Sequence, residues 1–208
     1  MSKKNKILTN ILNGKKVLEI GANQGDISLQ ILEMHPSLLV VNEIDDKFIK
    51  ILRCRLGRFK NVKIFKFDLF KIKDYPNIKF DIIILKEIFN VFPKKDYQSI
   101  IKNSEMCLNK NGTICIIDYF PGAIVRQLIL QTIIKPHRII SHFKRYNHNK
   151  KGNTLLNEND LLKFFPKNKY SINLYPRIDP LNKHHNFIHK IIELIIPMKY
   201  LAEIKKNK

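Results

Sequence analysis

The sequence predicts an α/β protein: one domain built on a doubly wound, mostly parallel sheet. Three observations carry this. Short β-branched runs alternate with longer amphipathic stretches over the first 118 residues. The short runs are apolar throughout, as strands buried on both faces require. The length, 208 residues, suits one full-sized core and leaves little room for a second.

Lys16–Ile20 is the first expected strand. Residues 24–34 have helical periodicity through Ile27, Leu29, Ile31 and Leu32, and stop before Pro36. Residues 38–43 (LLVVNE) form the second strand. Asp46–Leu56 reads as a helix with Asp46 as its N-cap and Phe48, Ile49, Leu52 and Leu56 on one face. Strands three and four are expected at 62–67 and 80–85. A third helix covers 93–108, with Pro93 near its first turn. An NKNG turn at 109–112 leads to a fifth strand at 113–118. Beyond it, 121–134 and 157–165 read as helices and 170–175 as a strand. Residues 187–204 fit either a last strand or a terminal helix.

Composition narrows the class. The 44% apolar content is ordinary for a globular chain. The N-terminal MSKKNKILTNILNGKK is lysine-rich without a long apolar stretch, so no secretory signal is expected. No window approaches the roughly 20 apolar residues of a bilayer span. The most apolar runs are broken by Arg126, Gln127, Lys190, Glu193 and Pro197. Cys54, Cys107 and Cys115 are odd in number and unpaired in spacing, so neither a disulfide framework nor a metal site is expected. The expected setting is cytoplasmic, with peripheral membrane attachment as a variant.

The net charge is +20. It has two readings: contact with nucleic acid or an anionic membrane, or drift in a chain rich in Lys, Asn and Ile. Of 38 basic residues, 31 are lysine. Phosphate-reading proteins often favour arginine for its bidentate fork, so the composition leaves both readings open.

In an open parallel sheet, ligands sit beyond the carboxyl ends of the strands. The turn after the first strand, VLEIGANQGD at 17–26, is therefore the place to look. A GxGxxG fingerprint counted from Gly21 would need glycines at Asn23 and Asp26, and Asp26 is a poor neighbour for pyrophosphate. No Walker loop exists.

The stretch Val17, Leu18, Glu19, Ile20, Gly21, Ala22, Asn23, Gln24, Gly25 instead resembles the first motif of class I S-adenosylmethionine-dependent methyltransferases, with Asn23 replacing the middle glycine. Further resemblances follow in order at Asn42-Glu43-Ile44-Asp45, Phe67-Asp68-Leu69, FDIIIL (80–85) and GTICIID (112–118). They cover about residues 14–120. The resemblance implies a seven-stranded Rossmann-like sheet and S-adenosylmethionine as cofactor. It implies Glu19 near the cationic methionine end and Glu43, 24 residues beyond Glu19, on the ribose hydroxyls. Ile44 would cover an adenine face and Asp68 would accept from the adenine amino group. The implied cofactor set is Glu19, Gly21, Asn23, Gly25, Glu43, Ile44, Asp68, Leu69 and Lys86. The whole chain, 1–208, is then one methyltransferase domain, with a cofactor core (14–120), a substrate-covering insertion (119–150) and C-terminal strands or helix (151–208).

VVNEID and NVKIFKFD also resemble the ribosomal-RNA adenine dimethylases. That branch needs an Asn-(Leu/Pro)-Pro-aromatic segment after strand four to hold a flipped base. Residues 86–93, KEIFNVFP, lack that order. EIFNVFP more closely resembles the short helical segment of small-molecule and lipid methyltransferases. The expected acceptor is therefore a small or lipid-like molecule, with RNA methylation or a non-catalytic binding domain as alternatives. The resemblance leaves the catalytic base open among Glu87, Asp118, His137 and His142.

Overall fold

A computed structural model describes residues 11–89, 91–119, 158–176 and 199–207 of the chain. The described elements are β1 (Lys16–Ile20), α1 (Asp26–Leu32), β2 (Leu38–Asn42), α2 (Asp46–Leu56), β3 (Val62–Phe65), β4 (Phe80–Lys86), α3 (Tyr97–Cys107), β5 (Leu108–Tyr119), α4 (Glu158–Phe164), β6 (Tyr170–Pro176) and β7 (Lys199–Lys206). The strands form one seven-stranded sheet in the order β3-β2-β1-β4-β5-β7-β6. The pairs among β1 to β5 are parallel. β7 runs antiparallel between β5 and β6.

Successive strand residues point to opposite faces, which gives the sheet two cores. Leu18, Ile20, Val40, Ile83 and Leu85 pack with Tyr97, Ile100 and Phe165 on one side. Val17, Leu39, Val41, Ile82 and Ile84 pack with Ile27, Ile31, Leu52 and Leu56 on the other. Both faces are buried, as the uninterrupted apolar strands required. Cys54, Cys107 and Cys115 are free thiols.

Several boundaries differ from expectation, each for a local reason. The helix expected from residue 24 starts at Asp26, because Gly25 holds a left-handed φ of 83° as its N-cap. The cap of α2 is Asp45, not Asp46: the Asp45 side chain accepts the Lys47 N–H at 2.8 Å. Asp46 lies in the first turn and pairs with Lys66 at 2.8 Å. Pro93 precedes a 3₁₀ turn (Lys94–Asp96), and α3 begins only at Tyr97. The expected NKNG turn is absorbed into β5 as an irregularity. Phe80 pairs with Leu108 but Ile82 with Thr113, so residues 109–112 are surplus to the β4 ladder.

Residues 187–204 resolve in part: β7 takes 199–206, and the remainder lies outside the described residues. So do the expected helix at 121–134 and all but the first residue of the insertion at 119–150. No helix among the described residues is long and apolar enough to cross a membrane.

Candidate functional site

The carboxyl ends of β1, β2, β3 and β4 gather the loop at 21–25, Glu43-Ile44, Asp68 and residues 86–92 at one end of the sheet. The loop turns through three left-handed residues: Gly21 (φ 78°), Asn23 (φ 52°) and Gly25 (φ 83°). Asparagine adopts this region more readily than most residues, because its short polar side chain tolerates it. A side chain at either glycine would also make a neighbouring side chain give way. A Cβ on Gly21 would lie 2.9 Å from Ile88 Cδ1, and one on Gly25 would lie 2.8 Å from Leu52 Cδ2.

The loop is tied to β2. Gly21 and Ala22 both donate their N–H to the Asn42 carbonyl at 3.2 Å. Asn23 donates its N–H to Glu43 Oε2 at 2.8 Å. The other oxygen, Oε1, accepts from the Ile44 and Asp45 N–H groups at 2.8 and 3.1 Å. A carboxylate offers about four lone-pair sites. Glu43, buried at 7% exposure, has filled three with backbone amides. Room for a single further donor remains on Oε2, which narrows the expectation of two ribose hydroxyls.

Sequence reasoning missed Asn42 and Ser28. The buried Asn42 side chain donates to the Phe67 carbonyl at 3.1 Å and so joins the ends of β2 and β3. The only sequence signal was a polar residue closing an otherwise apolar strand. Ser28 Oγ donates to Glu19 Oε2 at 2.5 Å inside the face covered by α1.

Glu19 itself is fully buried. Burial pushes its carboxyl up to about 7, with Asp26 and Glu43 adding to the rise; the Ser28 hydroxyl and the charge of Lys86 pull against it. Among the described residues its Oε1 receives no hydrogen bond. A buried acceptor left unmade costs about 1–3 kcal/mol. A cationic donor brought to the loop would satisfy it, and an anion would not.

At the ends of β2 and β3, Ile44 is 58% exposed beside Glu43. Asp68 is half-buried and its Oδ1 accepts the Phe70 N–H at 3.0 Å. Leu69 packs into the core, and its carbonyl accepts from the Tyr75 hydroxyl and the Asn103 side chain. That anchors Asp68 from behind.

The described residues of the 87–92 segment form no helix, in contrast to the short helix expected from the resemblance. Glu87 has φ 55° and donates its N–H to the Ile117 carbonyl at 2.8 Å. Val91 and Phe92 fold back on the Ile88 carbonyl in a turn. Asp118 is fully buried, and its Oδ2 accepts the Phe89 N–H at 3.1 Å. Tyr97 donates its hydroxyl to the Phe89 carbonyl. Glu87 therefore stands at the open end of β4, while Asp118 holds the segment from below. His137 and His142 lie outside the described residues. No cluster of metal-ligating side chains occurs among the described residues.

This geometry agrees with the comparisons to known proteins. Residues 17–112 match the family model described as a methyltransferase domain. Together with the sheet order, the match identifies residues 17–112 as a methyltransferase domain of the class I S-adenosylmethionine-dependent kind. No curated protein sequence matches the chain. Solved structures share its fold. The plantazolicin methyltransferase BamL, crystallised with a triazolic desmethylPZN analog and SAH, is 15% identical. Its TM-score is 0.68, covering 98% of this chain and 84% of BamL. The magnesium protoporphyrin IX methyltransferase (ChlM) of Synechocystis PCC 6803 is 12% identical, with TM-score 0.63, covering 98% of this chain and 84% of that one. An rRNA methylase of Streptococcus thermophilus is 12% identical, with TM-score 0.55, covering 99% and 95%.

The enzyme uses S-adenosylmethionine. The orphaned Glu19 oxygen suits the ammonium of that cofactor, and the lack of a phosphate-binding loop suits its lack of phosphate.

Proposed function

We propose that this enzyme methylates a small-molecule or lipid-like acceptor. The observation that carries the proposal is the apolar surface at the cofactor end of the sheet. Phe70 is 40% and Val91 63% exposed, and Phe70 meets Phe92 edge-on at 5.3 Å between ring centroids. Exposed apolar groups clustered at a ligand-binding end mark a site for an apolar partner. The turn at 88–92 offers no Asn-x-Pro-aromatic order to hold an extruded base. BamL is a plantazolicin methyltransferase and ChlM a magnesium protoporphyrin IX methyltransferase, which supports the same class.

When bound, the cofactor supplies a methyl group already activated on a sulfonium, so positioning carries much of the rate. In this reading Glu19 draws the methionine ammonium to the loop. Glu43 accepts one ribose hydroxyl, Ile44 covers an adenine face and Asp68 accepts from the adenine amino group. Lys86 sets the charge balance around Glu19. Glu87 is the acceptor-side carboxylate nearest the end of β4 and the first candidate for a base. The turn pinned by Asp118 presents Val91 and Phe92 toward the acceptor.

The test is transfer of a trideuterated methyl group from labelled cofactor into a total cell extract, followed by fractionation and mass spectrometry. Label in the small-molecule or lipid fraction is expected. Label confined to RNA would overturn the proposal in favour of nucleic-acid methylation, to which the +20 charge would then belong.

A further inference from the structure

The loop has a second attachment, made from α2. Arg55, in the last turn of that helix, donates through Nη1 to the Gln24 carbonyl. Its Nη2 lies 2.8 Å from Asp26 Oδ1. A cation near a helix C-terminus is favourable in itself, and an exposed ion pair contributes little to stability. The Arg55 and Asp26 side chains are 33% and 56% exposed, so the pair contributes little to holding the fold together.

Two observations give the contact another purpose. Gln24 and Asp26 flank Gly25, where a Cβ would run into Leu52 and touch Leu56 of the same helix. The guanidinium therefore closes over the point where the loop already touches α2. The residue type is also telling. The chain uses lysine at 31 of its 38 basic positions, yet arginine stands here. A planar fork can bond a carbonyl and a carboxylate at once, whereas a lysine ammonium is a single point charge.

We propose that Arg55 is a positioning residue for the cofactor: it locks Gln24 and Asp26 across Gly25 and so holds the loop in the shape that receives the methionine end. This rests on residues 21–25 being the methionine seat. Glu43 holds the loop at Asn23, and Arg55 holds it two residues later. A loop that otherwise samples other shapes binds with an affinity reduced by the fraction of time it is competent.

The experiment compares wild type with Arg55→Lys, which keeps the charge and removes the fork. Two probes are titrated calorimetrically: S-adenosylhomocysteine, which has the amino-acid end, and 5′-methylthioadenosine, which lacks it. Binding of the first should weaken about 3- to 10-fold in the variant. Binding of the second should stay unchanged, as should the melting temperature. Equal weakening of both probes would mean a general structural role and would overturn the proposal. So would unchanged binding of S-adenosylhomocysteine. Failure of wild type to bind S-adenosylhomocysteine at all would instead remove the methionine seat, and the proposal with it.

Discussion

Glu43 Oε2 holds the backbone N–H of Asn23 at 2.8 Å, across 20 residues of sequence. This one bond explains why the loop keeps its shape without a glycine at its centre. The left-handed turn at Asn23, φ 52°, is fastened from outside by a carboxylate rather than left to the freedom of the residue itself. The partner of Glu43 is the main chain of Asn23, so the identity of the side chain is secondary. Asn23→Gly should leave cofactor affinity unchanged and alter stability by less than about 0.5 kcal/mol. Asn23→Ala should cost about 1 kcal/mol, the left-handed penalty for an ordinary L residue. Urea unfolding with calorimetric titration of S-adenosylhomocysteine reads both. A tenfold gain in affinity for Asn23→Gly would show that the asparagine side chain obstructs the site.

The same carboxylate has two roles that one substitution would confuse. Glu43→Gln weakens the tether to Asn23, Ile44 and Asp45, and it also changes the acceptor available to a ribose hydroxyl. A double-mutant cycle separates them. The second change is in the ligand: S-adenosylhomocysteine against its 2′-deoxy and 3′-deoxy analogues. One of the two analogues should bind wild type about tenfold more weakly, and that deficit should largely vanish in Glu43→Gln. The other should show no coupling, because only one lone-pair site is free. No coupling with either analogue would leave Glu43 as a tether alone.

Protonation of Glu19 gives the loop a pH dependence whose sign follows from burial. The carboxyl stands at about 7 in the folded protein against an ordinary value of 4.5. Between those values the folded chain holds a proton that the unfolded chain has released. The stabilising contribution is therefore fully present below pH 4.5 and is lost as pH rises through about 7, with a span of about 3 kcal/mol. Cofactor binding runs the other way, since an ammonium favours the carboxylate. Affinity for S-adenosylhomocysteine should rise between pH 6 and 8, and binding should release a proton. Melting curves with and without ligand, from pH 5.5 to 8.5, measure both trends. Glu19→Gln should flatten the pH dependence of binding; an unchanged slope in that variant would assign the proton to another group.

The strands and acids of this site were legible for a physical reason. Strands buried on both faces read as unbroken apolar runs, and a parallel sheet puts its binding residues at one set of strand ends. The strand ends could thus be placed before any contact was known, and the resemblance then pointed to Glu19, Glu43 and Asp68 there. Ser28, Asn42 and Arg55 could not. Their partners lie 9, 25 and 31 residues away, and no local period encodes such pairings. The misread turn at 109–112 has the same cause. Its Asn-Gly chemistry is sound locally, but pairing along β5 carries the strand through it. Asp45 took the cap from Asp46 because Glu43 had already pinned its N–H and fixed where the chain enters the helix.

Ile44 separates binding from stability most cleanly. It is 58% exposed, so its side chain does little for the core. Substituting an exposed residue away from special backbone features usually shifts stability by less than about 0.5 kcal/mol. Yet it follows directly on Glu43, where the site would receive the adenosine, and a flat apolar ring laid on it would remove both surfaces from water. Losing most of the isoleucine side chain there forfeits about 1 kcal/mol of apolar burial, close to a fivefold change in affinity. Ile44→Ala should accordingly leave the melting temperature of the free protein unchanged while weakening S-adenosylhomocysteine and adenosine about equally, since both carry the adenine. Ile44→Leu, which preserves the apolar area, should restore most of the loss. Weakening of S-adenosylhomocysteine alone would move Ile44 from the adenine to the methionine end, and no weakening of either would leave it an ordinary surface residue.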